Sequence, residues 1–224
     1  MSDTARPLPV VVLISGTGSN LRAIAAQATA GTLPVTIRAV VSDRADAAGL
    51  AWARDAGFTT VALSPREFPD RPSYDRALAE TVARFEPGLV VLAGFMRILG
   101  PEFVDRFAGR LVNIHPSLLP AYRGLHTHRR VLEAGDPVHG ASVHFVTREL
   151  DGGPVVLQSR VPVRDDDDEG TLSARVLAEE HRIYPECIGW FAAGRLHLRA
   201  GIVMLDGQPL LAPVVREAQD VAHA

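Results

Sequence analysis

The sequence predicts an α/β fold: a mostly parallel twisted sheet with helices on both faces, and antiparallel strands in the C-terminal part. Short continuous aliphatic runs, Val10–Ile14 and Leu89–Ala93 among them, lack the alternation of a half-exposed strand. That is the pattern of parallel strands buried on both faces. Amphipathic stretches alternate with these runs, the rhythm of βαβ units. After Pro116 the rhythm breaks, which sets the C-terminal part aside.

The first strand, Val10–Ile14, runs into the Gly- and hydroxyl-rich turn Ser15–Asn20 and then a helix over Leu21–Ala30. Val35–Ser42 is a second strand and Ala45–Ala56 a second helix. Thr59–Leu63 is a third strand, and Ser73–Phe85 a helix with Leu78, Val82 and Phe85 on its apolar side. Leu89–Ala93, a short helix Pro101–Phe107 and the strand Leu111–His115 complete the parallel part. Pro116–Thr127 reads as a loop, followed by a short helix, Arg129–Ala134, that Gly135 ends. Gly140–Val146 and Val155–Val163 pair as strands across a loop holding Asp151-Gly152-Gly153-Pro154. Thr171–Tyr184 is a strong helix that Pro185 should kink or stop. From Arg195 on the chain reads as short strands and loop. The acidic run Asp165–Glu169 reads as negative charge before a helix N-terminus.

Composition removes several kinds of chemistry. A chain of 224 residues with 47% hydrophobic residues and no internal repeat suits one domain that needs no disulfide or metal staple. Cys187 is the sole cysteine, which excludes an internal disulfide and a cysteine-rich zinc cluster. All 23 basic residues are arginine, so a Walker lysine, a kinase lysine and a Schiff-base lysine are impossible. Phosphate must then be held by backbone N–H groups, hydroxyls, amides or arginine. A net charge of −3 argues against nucleic acid as the main partner. No run is long enough for a signal core or a membrane span, so a cytoplasmic protein away from membranes is expected.

Four constellations are able to carry chemistry. Ser15-Gly16-Thr17-Gly18-Ser19-Asn20 stands between a buried strand and a helix, where free N–H groups suit a phosphate. Leu21 replaces the third glycine of the dinucleotide fingerprint, and Asp43 after the second strand does not rescue it. A monophosphate site is the reading; a plain tight turn with Ser19 or Asn20 capping the helix matches it evenly. Asn113 and His115 stand two apart on a strand and so share a face. An amide can stabilise an oxyanion and an imidazole can move protons; a structural pair at a strand end remains the plainer alternative. Asp151 in its Gly-Gly turn would fix the His115 tautomer if the two met. Glu180 follows Leu172 and Val176 on an inward helical stripe, which suits either a ligand hydroxyl or an ion pair with an arginine. His126 and His128 lack further ligands at metal spacing, so no metal is expected. His144 reads as a structural histidine, and Cys187 lacks a base for a nucleophile's role.

Taken together, these segments resemble the glycinamide ribonucleotide formyltransferases of purine biosynthesis. The resemblance rests on Val11–Leu21, Val91–Leu99, Asn113–Pro120, Gly124–His126, His144–Val146 and Glu149–Pro154, in that order, and spans about Pro9 to Leu211. It implies a Rossmann-like, formyltransferase-type fold in a single domain, 1–224. Residues 1–115 would form the phosphate and nucleotide half, 116–211 the folate-binding and catalytic half, and 212–224 a tail. It implies transfer of a formyl group from 10-formyltetrahydrofolate, as co-substrate, to the amine of glycinamide ribonucleotide. Asn113, His115 and Asp151 would be catalytic. Gly18, Ser19 and Asn20, with Leu177, Ala178, Glu179 and Glu180, would bind the ribonucleotide. Arg71, Met96, Arg97, Ile98 and Leu99, with Asn113 and with Thr147, Arg148, Glu149, Leu150 and Asp151, would line the folate site. Partners are these two small molecules; a homodimer stays open. The alternatives are a hydrolase using water, a transferase to charged tRNA, which 224 residues leave no basic domain to serve, a non-catalytic nucleotide-binding domain, and a nicotinamide oxidoreductase.

Overall fold

Every residue from Val10 to Ile14 is fully buried, because strand β1 (Leu8–Ile14) lies inside a sheet covered on both faces. Strand residues alternate between faces. Val10, Val12 and Ile14 accordingly enter one hydrophobic core, and Val11 and Leu13 the other. The computed structural model describes residues 6–219.

Helix α1 (Ser19–Thr29) follows β1, then β2 (Val35–Ser42), α2 (Ala48–Asp55), β3 (Thr60–Ala62), α3 (Arg71–Ala83), β4 (Leu89–Leu92), α4 (Pro101–Arg106) and β5 (Leu111–His115). Next come α5 (Thr127–Ala134), β6 (Val138–Phe145), β7 (Val155–Pro162) and α6 (Glu169–Ala192). β8 (Leu196–Arg199), β9 (Ile202–Leu205) and β10 (Gln208–Pro209) form a separate three-stranded antiparallel sheet, and β11 (Val214–Glu217) ends the series. The main sheet runs β11-β7-β6-β5-β4-β1-β2-β3, and β6 alone opposes the other strands. Chain order reverses between β1 and β4. In open α/β sheets that switch point, at the carboxyl ends of the strands, is where ligands bind.

Two helix boundaries differ from those expected. Pro185 neither stops nor ends α6, which runs on to Ala192. Ile183, Tyr184, Cys187, Ile188 and Trp190 are buried around it, and that burial outweighs the hydrogen bond a proline removes. Helix α3 starts at Arg71, two residues before the predicted Ser73: Asp70 caps it by accepting from Ser73 N at 2.8 Å, and Arg71 opens its first turn beside Pro72. The C-terminal strands include one the sequence did not place. β11 rejoins the main sheet parallel to β7 from within the expected tail; residues 220–224 of that tail lie outside the described residues. The acidic run behaves as expected: Asp168 caps α6 in a capping box with Thr171.

Candidate active site

At the carboxyl end of β1 the chain turns through Gly18, whose φ of +73° puts it in the left-handed region. A Cβ there would lie 2.9 Å from Gly49 Cα, so glycine is also demanded by close approach. Gly18 is the N-cap of α1, and no side chain caps the helix. Ser19 and Asn20 are inside its first turn, so neither is the cap that the plainer sequence reading offered. The first N–H groups therefore face a cleft of about 420 Å³ lined by Ser15–Asn20, Asp43, Arg44, Leu177 and Glu180 with other residues. Glu180 pairs with Asn20, not with an arginine: Asn20 Nδ2 donates to its Oε2 at 2.7 Å. Burial pushes the Glu180 carboxyl up to about 7, against the pull of that hydrogen bond. Asn20 Oδ1 is buried without a partner. Ala178 and Glu179 do not line this cleft. The Glu179 carboxylate instead accepts from Ser159 Oγ, the Arg182 guanidinium and Gln219 N.

Two strands across the sheet from β1, β5 presents Asn113 and His115 together, as the two-residue spacing requires. The loop between β6 and β7 brings Asp151 to them. His115 Nδ1 lies 3.6 Å from Asp151 Oδ2, and His115 Nε2 donates to Tyr122 O at 2.9 Å. Asp151 Oδ2 also accepts from Gly124 N at 2.9 Å. His144 completes the group, since antiparallel pairing sets it opposite Asn113. Its Nδ1 is 2.9 Å from Phe145 O and must donate to it. Burial lowers its pKa, so the ring is neutral and its bare Nε2 accepts from Asn113 Nδ2 at 3.1 Å. That bond fixes the orientation of the Asn113 amide. His144 Nε2 is also 3.9 Å from Asp151 Oδ1.

A second cavity adjoins this group. Asn113, His144 and Asp151 line it together with Arg97, Ile98 and Leu99 on one side and Thr147, Arg148, Glu149 and Leu150 on the other. Arg97 lies over the Tyr74 ring at 5.2 Å and 4.0 Å from Asp43. Met96 faces the cleft at the end of β1 instead, its N–H donating to Ser15 Oγ at 2.9 Å. Arg71 lines neither cavity; it donates to Ile98 O at 2.8 Å and braces the segment from behind.

The family model for formyl transferases matches residues 8–188. The chain belongs to the formyl transferase family. It is 56% identical over 201 residues to the phosphoribosylglycinamide formyltransferase of Escherichia coli K12, covering 90% of this chain and 95% of that protein. The corresponding enzyme of Haemophilus influenzae is 44% identical over the same shares. Among solved structures, the phosphoribosylglycinamide formyltransferase of Coxiella burnetii superposes with a TM-score of 0.90 at 50% identity, covering 93% of this chain and 99% of that one.

In this formyl transferase His144 is the buried, hydrogen-bonded histidine expected, and its hold on Asn113 is what the sequence did not show. Its place became visible only through the β5–β6 register, which no spacing between Asn113 and His144 reveals. His128 meets His139, with Nδ1 and Nε2 3.0 Å apart, and both are driven towards the neutral form by burial. Among the described residues no group of three metal-ligating side chains forms. The Cys187 thiol is buried and its pKa raised. Among the described residues, no helix is long and apolar enough to cross a membrane.

Proposed function

We propose that this formyl transferase moves the formyl group of 10-formyltetrahydrofolate to the amine of glycinamide ribonucleotide. The observation that carries the reading is the meeting of Asn113, His115 and Asp151 between two cavities, one floored by an uncapped helix N-terminus. The ribonucleotide phosphate sits on Gly18, Ser19 and Asn20, with Leu177 and Glu180 against its ribose. The formyl-folate occupies the cavity walled by Arg97–Leu99 and Thr147–Asp151, next to Met96 and the Arg71 brace.

The acceptor amine attacks the formyl carbon and forms the new C–N bond. The tetrahedral oxyanion takes the Asn113 N–H that His144 leaves free, and a His115 N–H released from the Tyr122 carbonyl. The Asp151 carboxylate, 3.6 Å from His115 Nδ1, holds the ring in orientation. The bond from carbon to the folate nitrogen then breaks, and the proton lost by the amine ends on that nitrogen. Holding amine and carbonyl in one cleft supplies a large part of the rate. Localisation in the cytoplasm follows from this metabolic reading.

The test is an assay of formyl-folate consumption with and without glycinamide ribonucleotide. Turnover that requires the ribonucleotide and yields its formylated product is expected. Equal turnover without the acceptor would make the protein a hydrolase and sink the proposal.

A further inference from the structure

The phosphate-loop cleft has a charge imbalance that the loop alone does not resolve. Among the residues lining it, Arg44 is the single cation, against the carboxyls of Asp43 and Glu180. Asp43 is 8% exposed and its Oδ1 has no hydrogen-bond partner. A phosphate monoester would add roughly 1.5 to 2 negative charges near neutral pH. The N-terminus of α1 offers only about half a positive charge. With no lysine anywhere in the chain, the remaining compensation falls to an arginine.

Backbone packing puts Arg44 beside the seat. Gly49 N donates to Gly16 O at 2.9 Å, and a Cβ on Gly49 would come within 2.9 Å of Gly18 N and Cα. Only paired glycines allow this approach, and it draws the loop between β2 and α2 against the phosphate loop. The Arg44 backbone is held there by Ser42 Oγ, 3.1 Å from its N–H. Its guanidinium rests on Asp46 with contacts of 3.2 and 3.1 Å, and the two side chains are 59% and 74% exposed. A pair so solvated is weak and easily exchanged for a better anion. The unpartnered, buried Asn20 Oδ1 in the same cleft independently marks a place where a ligand donor belongs.

We propose that Arg44 is a specificity-determining residue for the acceptor's phosphate monoester, its guanidinium leaving Asp46 to pair with a phosphate seated on the Gly16–Asn20 loop. This rests on the reading of that loop as the phosphate seat. Arg44 touches no reacting atom, so its effect belongs to acceptor KM and not to the chemical step.

The experiment compares glycinamide ribonucleotide with the same acceptor lacking its phosphate, on wild type, Arg44→Ala and Arg44→Lys. Wild type should favour the phosphorylated acceptor. Arg44→Ala should raise KM for that acceptor about tenfold or more. It should leave kcat, KM for formyl-folate and KM for the unphosphorylated acceptor unchanged. Arg44→Lys, which keeps the charge, should recover most of the loss, and added salt should weaken wild type more than Arg44→Ala. If wild type treats both acceptors alike, the phosphate seat itself is wrong and the Arg44 role falls with it. If wild type discriminates and Arg44→Ala discriminates equally well, the seat stands and the Arg44 role alone is overturned. An equal loss of both acceptors in Arg44→Ala also overturns it.

Discussion

Glu180 shows how one side chain couples stability to pH. Its carboxyl is buried beside Asn20, and burial lifts its pKa from an ordinary 4.5 to about 7. The folded protein therefore holds this proton more tightly than the unfolded chain. The stabilisation is complete below pH 4.5 and is lost as pH rises through about 7. Glu180→Gln removes the cost of a buried charge. Urea unfolding should find it more stable than wild type at pH 8 by about 1–3 kcal/mol, and no different near pH 4. Equal stability at pH 8 would contradict the burial argument. In the proposed mechanism Asp151 acts on the reaction instead. Asp151→Asn keeps shape but loses the charge facing His115, so kcat should fall about a hundredfold or more while ligand affinities and Tm hold. Unimpaired transfer in that variant would remove Asp151 from the catalytic group.

The loop between β6 and β7 is held in shape by backbone, not by sequence pattern alone. Asp151 has a φ of +48°, and a Cβ on Gly153 would fall 1.8 Å from Phe145 O. Phe145 N meanwhile donates to Pro154 O at 3.0 Å, which closes the loop's base. Gly153→Ala must push these strands apart and carry Asp151 away from His115. Displacements near 1 Å in a reacting constellation cost about a hundredfold in rate. A fall in kcat of that size is expected, with the adjoining cavity disturbed as well; normal kinetics would show that the loop tolerates a side chain. Helix α6 plays the complementary part. Tyr184 on it reaches the carbonyls of Leu92 and Val112 at 2.9 and 3.1 Å. This pins the helix carrying Glu180 across β4 and β5, the two strands that frame the site.

At the scale of the whole molecule, β11 closes an edge. Val214–Glu217 pairs with β7, while Arg182 Nη2 donates to Glu217 O at 3.0 Å and Gln219 N to Glu179 at 3.2 Å. A chain ended at Pro213 would leave β7 as an exposed edge with unpaired N–H and C=O groups. Thermal unfolding should show Tm lowered by about 4 °C or more, and light scattering should show self-association. Asn113 and His115 stand on β5, three strands from β11, so kcat of the protein that stays in solution should be little changed; an unaltered Tm would mean that β11 is an ornament.

Strand and helix order were legible because continuous aliphatic runs and 3.6-residue stripes are local signals, and β2 and β5 emerged with the predicted ends. So was the spacing that puts Asn113 and His115 on one face, and the inward stripe that carries Glu180. Local pattern failed wherever a distant partner decided. Burial carried α6 through Pro185, and Asn20 rather than an arginine took Glu180. Strand register set His144 against Asn113, and facing glycines drew Arg44 to the Gly16–Asn20 turn. The sequence by itself determined which residues can bind, donate and move protons. Only the tertiary structure decided which of them meet, because hydrogen bonds and ion pairs act over a few ångströms, whereas the residues that form them stand tens of positions apart.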